Sequence, residues 1–145
     1  MIFLILEGTF GSSFKGGPLA DALQHLRMLI FDRKKCEKLL SQKNYNLEES
    51  QLCVGGKAGH DSCFGDSGSA LMTQHSEDKK NFQTWKLIGV VSFGISGRKC
   101  GVAGHPGVYT RVRHHIPWIL DNVGHNEINH RSSIQSRFRD MLFFG

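Results

Sequence analysis

The chain has 145 residues, enough for one domain with a real core, and its 39% hydrophobic content is ordinary for a globular protein. Seventeen glycines against three prolines point to a loop-rich, strand-rich fold. The net charge of +5 invites a polyanion reading, yet the basic residues are spread along the chain and no nucleic-acid-binding signature is present, so nucleic acid is not an expected partner.

Ile2-Phe3-Leu4-Ile5-Leu6 is apolar but too short to span a membrane or to form a signal core. It lacks a basic leader and a small-residue cleavage site, so it reads as a strand or as the start of a truncated chain without its secretory leader. No membrane partner is expected. Residues 23–31, rich in Leu, Met and Ile, read as a strand. Asp32 can then cap a helix over residues 33–41 with Cys36, Leu39 and Leu40 on its inner face. Arg33-Lys34-Lys35, the one dense basic run, coats the solvent side of that helix. Residues 51–54 form a short strand ending at Gly55-Gly56, and residues 70–73 another. The polar run 74–81 reads as a surface hairpin loop, and residues 85–93 and 107–112 as strands. Residues 114–123 close the fold as a helix with Ile116, Ile119, Leu120 and Val123 at helical spacing. Short strands with a terminal helix suggest a β-barrel. Residues 124–145 change character and read as a tail, either a docking helix or disordered.

Four cysteines, Cys36, Cys53, Cys63 and Cys100, allow three pairings that spacing alone does not separate. None forms CxxC or alternates with histidine, so no metal and no cofactor are expected. An even count in a strand-rich chain favours disulfides and an oxidising compartment.

The segment Asp61-Ser62-Cys63-Phe64-Gly65-Asp66-Ser67-Gly68 carries the most chemistry. A nucleophilic serine needs small neighbours so that substrate backbone can approach, and N–H groups free to hold an oxyanion. Gly65 and Gly68 supply the first, and the N–H groups of Gly65 and Ser67 the second. The segment resembles the active-site stretch of the chymotrypsin/trypsin family of serine endopeptidases. Gly16-Gly17-Pro18-Leu19, Leu23-Gln24, Val91-Ser92-Phe93-Gly94, Pro106-Gly107-Val108-Tyr109-Thr110-Arg111-Val112 and Trp118-Ile119 extend the resemblance over residues 16–123, with arthropod clip-domain proteases the nearest look.

The resemblance implies a single six-stranded antiparallel barrel, the second of the family's two, in an all-β fold with a short internal helix and a C-terminal helix. Residues 1–123 would be that barrel and 124–145 a tail. It implies disulfides Cys36–Cys53 and Cys63–Cys100, a protein or peptide substrate, and a secreted protein. Ser67 would be the nucleophile and Gly65 part of the oxyanion hole. Asp61 would lie at the floor of a pocket for Arg or Lys, because only a cation satisfies a desolvated carboxylate there. Gly94 and Gly107 would be the pocket walls, and Ser92 would belong to the segment that pairs with substrate backbone. The alternative for Asp61 is a surface loop aspartate, and His60 beside it reads as a loop residue rather than a base.

Asp66 in the family pairs with the amino terminus made by zymogen cleavage. No Ile/Val-Val-Gly-Gly start is present here, so Asp66 is expected to be exposed, protonated or held by local donors. None of the eight histidines and none of the seven aspartates lies in the family's Ala-Ala-His-Cys or Asp-Ile-Ala-Leu context. The partner that would supply them is the N-terminal barrel, and without it the chain is expected to be inactive. Two departures bear on the site: Ser69-Ala70 stands where the family has Gly-Pro, and the segment from Gly94 to Cys100 is longer than in trypsin, which reshapes the pocket rim. The function expected is a trypsin-like serine endopeptidase cleaving after Arg or Lys, represented by its C-terminal half. The alternative is a non-catalytic homologue acting as a binding or regulatory module.

Overall fold

The computed structural model of the protein describes residues 3–9, 21–76, 83–97 and 99–123. Six strands and two helices follow in the order β1 (Phe3–Thr9), β2 (Gln24–Met28), α1 (Arg33–Ser41), β3 (Gln51–Gly55), β4 (Ala70–Ser76), β5 (Gln83–Gly94), β6 (Pro106–Arg111) and α2 (Val112–Val123). The glycine-rich entry at residues 16–19 and the tail at 124–145 lie outside the described residues.

β1 and β2 form an antiparallel pair, and the other four strands form an antiparallel sheet in the order β3-β6-β5-β4. The expected single six-stranded barrel is thus resolved into a mostly β fold with two hydrogen-bonded sheets. The reason lies just after β2. Leu29–Phe31 leave the β1 ladder and turn to β3, through an Ile30–Val54 bridge and bonds Phe31 N–H to Cys53 O (2.8 Å) and Gly55 N–H to Leu29 O (2.8 Å). The strand expected over residues 23–31 therefore splits between two partners.

The core lies on both faces of the central strands, as the alternation of side chains along a strand dictates. On one face Val54, Leu71, Val91 and Tyr109 pack with Met28. On the other Cys53, Val108 and Ile95 pack with Cys36 and Leu40 of α1. Fully burying a side chain such as Val54, Leu71 or Val108 contributes about 1.5–3 kcal/mol. Cys36 is bonded to Cys53, which clamps α1 onto β3. At the start of α1, Asp32 Oδ1 accepts from Lys35 N–H at 2.9 Å, satisfying an otherwise unpaired donor of the first turn. Arg33 turns back along the helix to Glu37 at 2.8 Å and donates to the carbonyls of Leu47 and Glu48.

The polar run after residue 73 departs from expectation. Gln74, His75 and Ser76 continue β4, paired with Trp85, Thr84 and Gln83 of β5, because the ladder supplies their backbone bonds whatever their polarity. α2 begins two residues earlier than the spacing suggests. Along it Ile116 is buried, Ile119 and Leu120 are half-buried and Val123 is exposed. No helix among the described residues is long and apolar enough to cross a membrane.

Candidate active site

Two successive turns build the serine loop, and they share Asp66. Asp66 N–H donates to Cys63 O at 3.1 Å, and Ser69 N–H donates to Asp66 O at 2.9 Å. Each turn has a glycine at its third position with positive φ, Gly65 at 95° and Gly68 at 88°. A β-carbon is disfavoured in that conformation, so the two glycines are what the turns demand. Ser67, second in the second turn, stands exposed at its corner. The loop is pinned to β5 by Gly68 N–H to Val91 O and Val91 N–H to Ser69 O, each 3.0 Å. Among the described residues, no backbone carbonyl takes the N–H of Gly65 or of Ser67.

Asp66 is 5% exposed. Its Oδ2 accepts from Cys63 N–H at 2.7 Å, closing the first turn a second time, while Oδ1 is buried without a partner among the described residues. Of the three states expected for it, exposure is ruled out and a local donor is present.

Ser67 lines a cavity of about 280 Å³ together with Asp61, Gly65, Ser92 and Gly94. The Cys63–Cys100 disulfide forms part of its wall, joining the serine loop to the segment after β5. Asp61 Oδ2 accepts from Gly101 N–H at 3.0 Å, and Oδ1 has no partner among the described residues. Burial pushes the Asp61 carboxyl above its ordinary value of 3.8; the N–H groups of Gly101 and Ser62 work against that shift, and the nearby Asp66 adds to it. Beside it Tyr109, fully buried, donates its hydroxyl to Ser62 Oγ at 3.0 Å.

Gly107 does not line the cavity but backs it. A β-carbon there would lie 3.2 Å from Asp61 Oδ1 and 3.1 Å from the Tyr109 ring. Gly94, its cross-strand partner, faces open space, with nothing within 4 Å of such a carbon. Ser92 sits at a β-bulge: Val91 faces Tyr109 and Phe93 faces Val108, leaving Ser92 unpaired and exposed on the cavity. Bulges re-aim a side chain in this way. Residues the sequence reading passed over also contribute: Gly101 as the donor to Asp61, Tyr109 as the support of Ser62, and Lys99 on the cavity wall. Lys99 had a signal in its place in the lengthened segment before Cys100, and Tyr109 lay within a motif of the resemblance, though with no role given to it.

Among the described residues, no histidine lines this cavity. His60 and His105 turn Nδ1 to the carbonyl oxygens of Ala58 (3.0 Å) and Ala103 (3.1 Å), His25 is exposed on β2, and His114 and His115 meet edge-to-face in α2. His75 has only its strand position described, and His125 and His130 lie outside the described residues. No cluster of three or more potential metal ligands occurs among the described residues.

The Trypsin family model matches residues 7–119. CLIP domain-containing serine protease B8 of Anopheles gambiae is 47% identical over 115 residues, 77% of this chain and 27% of the relative. Serine protease 7 of Drosophila melanogaster is 42% identical over 100 residues, 69% of this chain and 24% of the relative. The Phenoloxidase-activating enzyme of Bombyx mori is 39% identical over 103 residues, 68% of this chain and 22% of the relative. The chain spans between 22% and 27% of the length of these curated relatives. On the family match and these identities, the chain belongs to the trypsin family of serine proteases.

Proposed function

We propose that residues 1–123 are the second barrel of a trypsin-like endopeptidase domain that cleaves protein substrates after Arg or Lys through an acyl-enzyme on Ser67. The observation that carries the reading is the single cavity shared by Ser67 and Asp61, whose carboxylate has one oxygen without a partner among the described residues. A guanidinium or ammonium entering the cavity would satisfy that oxygen; an apolar side chain would leave the charge unpaired. Closure of the six strands into a barrel is supported by the Ile30–Val54 bridge and by β1 lying beside β4. Secretion is supported by the two disulfides.

In the mechanism this supports, Ser67 Oγ attacks the scissile carbonyl carbon as a base takes its proton. The carbonyl electron pair moves to oxygen, held by the N–H groups of Gly65 and Ser67. The C–N bond then breaks, the leaving amine takes the proton from the base, and water cleaves the ester left on Ser67 by the same route. Ser92 and its bulged strand pair with substrate backbone, and Asp66 awaits a cation to complete its buried carboxylate. The base would come from the N-terminal barrel that the resemblance implies. Binding of benzamidine, an amidinium cation, tests the pocket. It is expected to bind the chain and to be lost in Asp61→Asn; equal binding by both contradicts the assignment.

A second reading, a non-catalytic homologue acting as a binding or regulatory module, is favoured by the lack of a histidine lining the cavity among the described residues. It predicts that supplying a His- and Asp-bearing barrel restores no turnover.

A further inference from the structure

Among the described residues two charged side chains line the 280 Å³ cavity, and they are opposite in sign: Asp61 and Lys99. They are not paired with each other among the described residues. Asp61 is half-buried with Oδ1 unpartnered, whereas Lys99 is exposed. The root of Lys99 is held in place from three directions. Ser96 Oγ donates to the Lys99 carbonyl, the next residue Cys100 is bonded to Cys63, and Gly101 beyond it donates to Asp61. The ammonium on its flexible stem stays hydrated, but its base cannot move away from the cavity. A ligand whose cation reaches Asp61 therefore enters a cavity whose wall also carries a positive charge.

We infer that Lys99 is a specificity-determining residue: it favours substrates in which the basic residue held by Asp61 is flanked by an acidic side chain, and disfavours those in which it is flanked by a second basic one. The inference rests on the reading of the cavity as a pocket for basic side chains. An exposed ammonium–carboxylate contact changes affinity by about two- to fivefold, and salt screens it. Lys99 thus tunes the choice among basic sites, while Asp61 sets the requirement for one. This lysine belongs to the segment between Gly94 and Cys100, whose ends both line the cavity.

The test is displacement of benzamidine from the 145-residue chain by end-blocked peptides carrying one arginine with Asp, Ala or Lys on both sides. The Asp peptide is expected to displace at about two- to fivefold lower concentration than the Ala peptide, and the Lys peptide at higher concentration. The spread shrinks in about 1 M salt, where screening acts within about 3 Å. Lys99→Ala erases the order and Lys99→Glu reverses it. Each displacement is read relative to that variant's own benzamidine affinity, and thermal melting checks that both variants are folded. Equal displacement by the three peptides, or an order unchanged in Lys99→Glu, overturns the inference. Failure of benzamidine to bind, or equal binding by Asp61→Asn, brings down the pocket reading itself and this inference with it.

Discussion

Gly94 and Gly107 face each other across β5 and β6, and they differ in what a side chain would meet. At Gly107 an added carbon presses on Asp61 and Tyr109 at 3.2 and 3.1 Å; at Gly94 it enters open space. Gly107→Ala is therefore expected to cost about 1–3 kcal/mol in urea unfolding, the usual range for overpacking. Gly94→Ala should stay within about 0.5 kcal/mol, as for surface changes, yet weaken benzamidine binding by narrowing the cavity. Equal stability losses would mean that the two walls are not distinguished in this way.

The raised pKa of Asp61 gives a pH signature. Its cause is burial, so the folded chain holds the proton more tightly than the unfolded chain does. Below the ordinary value of 3.8 both states are protonated and the group costs nothing; as pH rises through that value and then the higher folded one, stability is lost. Asparagine keeps an oxygen for the Gly101 N–H and carries no charge. Asp61→Asn is expected to melt above the parent at pH 7, with the gap closing as the pH falls toward 3.8. A lower Tm than the parent at pH 7 would contradict this.

The two disulfides have different consequences. The chain-entropy relation gives about 3 kcal/mol for the 17-residue separation of Cys36–Cys53 and about 4 kcal/mol for the 37-residue separation of Cys63–Cys100. Replacing Cys36 and Cys53 by alanine is expected to lower stability while sparing benzamidine binding at low temperature. Replacing Cys63 and Cys100 should abolish that binding even where the chain stays folded, because the bond is part of the cavity wall. Calorimetry and ligand titration on both double variants decide it.

Much of this was legible in the residues, and the exceptions share a cause. α1 could be read because its signals are local: the Asp32 cap and the 3.6-residue spacing of Cys36, Leu39 and Leu40. The serine loop could be read because its residue types are local: a serine set between Gly65 and Gly68, with Asp61 and Asp66 ahead of it. What escaped depends on partners distant in sequence. Gln74 to Ser76 look like a loop until β5 pairs with them. The unpaired position of Ser92 is a matter of register between β5 and β6. Residues 29–31 change partner only because β3 lies beside them. Tyr109 reaches Ser62 across 47 residues, and Gly101 reaches Asp61 across 40. No local pattern carries such contacts.

The chain by itself is expected to turn over no Arg-amide substrate above a Ser67→Ala control, because among the described residues no histidine lines the cavity that Ser67 lines. Steady-state assay of the two proteins side by side checks it. Turnover lost in the alanine variant would require a base within reach of Ser67 that the described residues do not supply.

The central claim, a serine nucleophile beside a pocket for basic side chains, is tested most directly by turnover after residues 16–123 are joined to an N-terminal barrel carrying the His and Asp and the product is activated. Amide substrates with Arg, Lys, Phe or Leu at the cleaved position are compared. Arg or Lys is expected to lead by about two orders of magnitude, Ser67→Ala to abolish turnover, and Asp61→Ser to collapse the ranking. Turnover that survives Ser67→Ala, or a ranking unmoved by Asp61→Ser, would contradict the account.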